Sequence, residues 1–250
     1  MKPIYTTIPI MLCKYALVNR RVNHLALYIY LKHNSSGYIQ YSGEAYKKWA
    51  EDLKMSERWT RDAIKWLIEK GWITVNNKRK SYRITSYKNL HKKLNLVTKS
   101  AVIYELNNFI SLREFCCAAL ITYYMKVKRF SEKKRRSVSK IGDANTNHYF
   151  YPKGFYAIPI SYIAKCLGVS NSTANKYKKC AEKSGLLEVR NTSKYFIDNI
   201  KADITYKDIS FIKKTFPYLA GRLRLNKNKH VVVVETDIIR SVIIGKKKRL

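Results

Sequence analysis

Gly168-Val169-Ser170-Asn171-Ser172-Thr173-Ala174-Asn175-Lys176-Tyr177-Lys178-Lys179, followed by Cys180-Ala181-Glu182-Lys183-Ser184-Gly185-Leu186-Leu187, is the stretch whose reading decides the fold. Gly168-Val169 is a small hydrophobic turn. Ser170 then serves as an N-cap, its side-chain oxygen accepting from the free N–H groups of a helix's first turn. Gly185 is the expected left-handed stop. Between them Ala174, Tyr177 and Ala181 recur at helical spacing as an inward face, which turns Asn171, Ser172, Thr173, Asn175, Lys176 and Lys179 outward. Asn pairs bidentately with adenine, Ser and Thr adapt to several base edges, and Lys contacts guanine or phosphate.

The stretch occurs twice. Ala50, Leu53, Met55, Ser56, Gly71, Trp72, Ile73 and Val75 fall on Ala164, Leu167, Val169, Ser170, Gly185, Leu186, Leu187 and Val189 at one offset of 114 residues. Agreement of a turn, a cap, a stop and a strand start is a repeat signal, not a single-position coincidence. Upstream, His24–Lys32 matches Ala118–Lys126 as an apolar first helix at an offset of 94. Strand-like runs precede both first helices, Ile8 to Leu12 and Val102 to Leu106. Short strands follow them, at Gly37–Tyr41 and Gly154–Ile158. Each copy then reads β, α, β, α, α, β, β. The stretch resembles the recognition half of winged helix-turn-helix regulators, in which such a helix runs into a Gly-Leu-Ile/Leu strand. Those families usually carry an aliphatic residue where this chain has Lys178, so the inward face of the second helix is expected to be rotated or partly wet.

In the first copy the helices are expected over Gly43–Leu53 and Ser56–Lys70, and the wing strands over Trp72–Val75 and Ser81–Thr85. In the second they fall on Ile160–Leu167 and Ser170–Ser184, with wing strands Leu186–Arg190 and Lys194–Ile197. Thr60, Ala63, Ile64 and Leu67 face inward in the first recognition helix, and Arg58, Trp59, Arg61 and Lys65 outward, beside Glu57 and Asp62. Arg58 and Arg61 suit guanine or phosphate. Trp59 has two readings, packing beside the wing or a partner, and direct base contact. The first wing tip carries Lys78, Arg79 and Lys80, suited to phosphates or a minor groove; the second carries Thr192, Ser193 and Lys194.

Fifty Lys+Arg against 17 Asp+Glu give a net charge of +33, and 46% hydrophobic residues suffice for real cores. Such an excess repels itself unless a polyanion answers it, and nucleic acid is the first candidate. The abundance of Lys, Asn, Ile and Tyr, residues with AT-rich codons, points weakly to a low-GC bacterium, plasmid or phage. Neither a signal peptide nor a membrane span is expected. The five scattered cysteines suit buried thiols in a reducing cytoplasm. No phosphate-cradling glycine motif, zinc spacing or clustered carboxylates point to a cofactor, a metal or catalysis. A binding protein is expected, not an enzyme.

The expected fold is α+β and mainly helical: a first winged-helix domain over 1–87, a basic helical linker over 88–99, a second domain over 100–200, and a C-terminal extension over 201–250. The second domain carries a basic insertion at 126–150 with Lys133, Lys134, Arg135 and Arg136, read as a solvated loop or a phosphate-binding one. In the extension, Lys207–Phe216 reads as a helix, His230–Glu235 as a strand, Asp237–Ile244 as a short helix, and Lys246–Arg249 as a basic tail. This organisation resembles the tandem winged-helix replication initiators of plasmids and phages. The resemblance implies double-stranded DNA at origin repeats as partner, with host replication proteins and a homodimer as further partners. A transcription regulator of a mobile element remains the alternative, and a virion or nucleoid protein binding without sequence choice is the alternative of another class. Two linked contacts on one face of DNA would span about 34–36 Å.

Overall fold

The structure, a computed structural model, describes residues 5–97, 100–105, 111–138, 154–190, 195–196, 223–225, 231–233, 236–243 and 245–247. For 132–138, 195–196, 223–225, 231–233 and 245–247 only the backbone is described. The chain is α+β, and the strand pairings in its small sheets are antiparallel. It divides into two compact units, one of residues 1–142, 160–187 and 241–250, the other of residues 143–159 and 188–240.

The first unit begins with β1 (Tyr5–Pro9) and α1 (Ile10–Val18). The strand expected over Ile8–Leu12 is therefore displaced, and a helix follows at once. Pro9 stands at the helix boundary, and Ile10, Leu12, Cys13, Ala16 and Leu17 are buried around most of the helix, so the run carries no amphipathic period. α2 (Val22–His33) follows, then β2 (Tyr38–Gln40), α3 (Gly43–Asp52) and α4 (Glu57–Glu69). β3 (Ile73–Asn76) and β4 (Ser81–Ile84) form a hairpin, and β2 pairs with the far side of β4.

The linker expected to be helical over 88–99 is helical over its first half. Ser86 caps α5 (Tyr87–Lys93), whose Tyr87 and Leu90 are buried. β5 (Ser100–Glu105) then pairs antiparallel with β1, Thr7 opposite Ile103, so the first strands of the two sequence copies share one sheet.

α6 (Leu112–Val138) supplies the central core. Cys116 to Ile121 are essentially inaccessible, and both α1 and α8 pack against this helix. Full burial of a Leu or Ile contributes about 1.5–3 kcal/mol, so Leu120 and Ile121 each add that much to the unit's stability. The basic insertion is no loop at its start: residues 126–138, with Lys133, Lys134, Arg135 and Arg136 among them, continue α6. Residues 139–150 lie outside the described residues. α7 (Ile160–Leu167) and α8 (Asn171–Lys183) complete the helices.

The last fifty residues, which match neither copy, supply strands. β6 (Tyr156–Ala157), β7 (Leu187–Arg190) and β11 (Ile238–Ser241) make a sheet ordered β6-β11-β7. The helix expected over Asp237–Ile244 is thus a central strand. The partner expected for β7, Lys194–Ile197, goes elsewhere: β8 (Tyr195–Phe196) pairs with β10 (Val231–Val233), which pairs with β9 (Leu223–Leu225). Within the second unit Arg190 and Arg240 both lie over the Phe155 ring, at 4.4 and 5.4 Å, and both pair with Glu188. The expected basic tail is partly β12 (Gly245–Lys247), paired with β5. Lys194 and the helix expected over Lys207–Phe216 lie outside the described residues.

Candidate nucleic-acid interface

α4 starts where its residues require. The Ser56 hydroxyl accepts from Trp59 N at 3.2 Å, and the Thr60 hydroxyl donates to Ser56 O at 3.1 Å, which removes the cost of burying it. Thr60, Ala63, Ile64 and Leu67 are buried, as the spacing predicts. Gly71 closes the helix at φ 63°. The outward face is exposed but not all of it is free. Arg61 donates through Nε and Nη2 to Glu57 Oε1, at 3.0 and 2.6 Å, and its guanidinium lies 4.5 Å from the Tyr46 ring centroid. Lys65 stands 3.8 Å from Asp62. Arg58 is exposed without an ion pair among the described residues. Surface pairs of this kind are worth about 0–1 kcal/mol, so an arriving phosphate can displace Glu57 from Arg61.

The hairpin β3–β4 carries its cations at the tip. Asn76 Oδ1 accepts from Arg79 N at 3.3 Å, and Lys80 turns the chain at φ 43°. Lys78, Arg79 and Lys80 are all exposed, and none has an ion pair among the described residues.

α8 repeats the capping pattern. Ser170 Oγ accepts from Thr173 N at 3.2 Å and also meets Thr173 Oγ1 at 3.0 Å, which engages the Thr173 hydroxyl locally. Ala174 and Ala181 are buried, and the half-buried Tyr177 donates its hydroxyl proton to Leu17 O at 3.3 Å. The inward face thus sits where the spacing puts it, with Lys178 half-buried at its margin. Asn171, Ser172, Lys176 and Lys179 are exposed, whereas Asn175 is half-buried.

No family model, curated protein or solved structure matches the chain. The interface therefore stands on its own geometry, and that geometry includes residues the sequence reading passed over. Trp59 lies against α2. Its ring meets His24 of α2 edge-on at 5.2 Å, Trp66 meets the same imidazole at 4.6 Å, and Arg21 lies 5.0 Å over Trp66. Burial, with the nearby Arg21 charge, pushes the His24 pKa down to about 4, so the ring is neutral at physiological pH.

Trp59 and the α8 residues Thr173, Lys176 and Tyr177 line one groove of about 770 Å³, joined by Arg20 and Arg21 between α1 and α2 and by Arg113 at the start of α6. The signal for Arg20 and Arg21 was local: Asn19-Arg20-Arg21 breaks two apolar runs, and Arg20 adopts φ 56° there.

Lys133, Lys134, Arg135 and Arg136 are placed by backbone alone. Among the described residues no group of three or more His, Cys, Asp or Glu could hold a metal ion, and no helix is long and apolar enough to cross a membrane.

Proposed function

We propose that the protein binds double-stranded DNA in a sequence-dependent way through two winged-helix units of common descent. α4 and α8 read the duplex, and the β3–β4 tip grips phosphates. The observation that carries this reading is the repeated element: a Ser-capped helix with its apolar face buried and its Arg, Lys and Asn side chains outward, twice in a chain of net charge +33. Cations beside short polar side chains suit such a helix to a major groove, and the hairpin cations add contacts without sequence content. The likeness to tandem winged-helix initiators supports replication initiation at origin repeats of a plasmid or phage, in the cytoplasm of a bacterial host and without catalysis by this chain.

Selection of bound sequences from random duplex DNA, repeated at low and moderate salt, tests the reading. An enriched motif that persists as salt rises is the expected result. Equal affinity for all sequences with a steep salt slope would assign the charge to non-specific packaging instead. Footprinting on the source replicon then separates an origin from a promoter.

A further inference from the structure

The five cysteines are free, and four of them stand in two pairs. The Cys116 thiol of α6 is hydrogen-bonded to Cys13 of α1, and the neighbouring Cys117 thiol to Cys180 of α8. Adjacent residues of a helix point about 100° apart, so the Cys116-Cys117 step sends one thiol towards each of the two helices packed on α6. The pairs differ in access. Cys13 and Cys116 are fully buried, whereas Cys180 is half-buried and lines the groove described above. Cys166 is half-buried too, but it stands with neither pair. Cys117 and Cys180 therefore combine one thiol open to solvent with a second directly behind it. Around Cys180 the groove is cationic: Arg20, Arg21 and Arg113 line it against one carboxylate, Glu114. Arg113 stands close enough for its charge to act on both Cys117 and Tyr177. Partly exposed thiols in electropositive surroundings are the ones that react, while buried ones are inert.

We propose that Cys180 is a thiol-exchange site for a low-molecular-weight disulfide of negative charge, and that Cys117 takes the bond over from it, tying α8 to α6. Arg20 and Arg113 draw the anionic reagent in. In the first step the Cys180 thiolate attacks one sulfur of R–S–S–R. A Cys180–S–S–R bond forms, the S–S bond of the reagent breaks, and RS⁻ leaves with the electron pair. In the second the Cys117 sulfur, giving up its proton, attacks the Cys180 sulfur, and the second RS⁻ leaves. The two protons lost by the cysteines end on the two RS⁻ groups. Two thiols and one R–S–S–R thus become one protein disulfide and two RSH, the cysteines oxidised by two electrons and the reagent reduced by two. Burial pushes the Cys117 thiol well up, so it stays protonated and takes the second role, in which its target is already beside it. Disulfides in a reducing cytoplasm are mostly transient and redox-sensing, which suits a bond begun on an accessible thiol. Nothing in this exchange requires DNA.

Incubation of the reduced, native full chain with oxidised glutathione tests it, followed by acid quenching, alkylation under denaturing conditions and mapping of every cysteine by mass spectrometry. The expected result is a Cys117–Cys180 cross-link that dithiothreitol reverses, with Cys13 and Cys116 recovered as alkylated thiols. Cys117→Ala is expected to stop at glutathione held on Cys180, and Cys180→Ser to lose the cross-link completely. The wild-type map needs no substitution, so a variant that fails to fold still leaves the test decided. Oxidised glutathione, which is negatively charged, is expected to react faster than cystamine, which is positively charged. Arg20 and Arg113 are exposed, and Arg20→Gln with Arg113→Gln should remove that preference. A cross-link between Cys13 and Cys116 instead, an unmodified Cys180 in the wild type, or glutathione retained on Cys180 without transfer to Cys117 would overturn the proposal. Faster reaction with cystamine would overturn it as well, since the arginines would then play no part in selecting the reagent.

Discussion

Ser56 and Ser170 each hold a first helical turn by accepting one backbone hydrogen bond. Replacing either by Ala is expected to lower stability by about 1 kcal/mol, read as a shifted urea midpoint with unchanged slope. His24 makes a pH prediction. An unfolded histidine takes its proton near 6.5, folded His24 only near 4. Between those values the unfolded chain holds the extra proton, so the stability present above pH 6.5 falls as pH drops and is lost by about 4. The full span is worth roughly 3 kcal/mol, since one pKa unit corresponds to about 1.4 kcal/mol. His24→Gln should remove that part of the acid sensitivity; identical urea midpoints against pH in both proteins would contradict the burial argument. For recognition, Asn175→Ala or Lys176→Ala is expected to reduce discrimination between DNA sequences by about 1–3 kcal/mol. Lys78→Ala should weaken all sequences alike and flatten the salt slope by about one. Competition binding with matched and mismatched duplexes separates the two behaviours.

Caps and stops were legible at the level of elements because their causes are local. Gly71 and Gly185 close α4 and α8 at φ 63° and 73°, a backbone that costs other residues about 1–2 kcal/mol. Gly185→Ala meets no neighbour within 4 Å, so its loss in thermal stability should report this backbone cost alone. What local signals do not decide is how far an element runs and what it pairs with. Lys126–Val138 contains neither Pro nor Gly, so nothing stops the helix that the apolar core of α6 begins, and its polarity was a poor guide to a loop. Ile238 and Ile239, with Val242 and Ile243 nearby, fit a short helix or a strand; pairing of β11 with β6, far back in the chain, makes it a strand. The groove was illegible for the same reason. Its walls come from the α1–α2 turn, α4, α6 and α8, and the repeat that relates α4 to α8 does not say how the two helices meet.

At the scale of the molecule, the final residues are structural, not an appendage. A chain ended at residue 200 lacks β11, the middle strand of the sheet with β6 and β7, and β12, which flanks β5. Such a truncation is expected to lose its cooperative thermal transition, although the repeat alone would leave it whole. A sharp transition and undiminished DNA binding would show these strands to be dispensable. The same arrangement sets a schedule during synthesis. The sheet of β2, β3 and β4 is complete once residue 84 has been made, whereas β6 and β7 wait for residue 238. At about 5–20 residues per second the ribosome needs roughly 2–10 s to go from residue 190, where β7 ends, to residue 238. For that time the nascent chain presents a finished first hairpin beside two unpaired strands, so a slow stretch of message near its end would prolong exposure to chaperones and proteases.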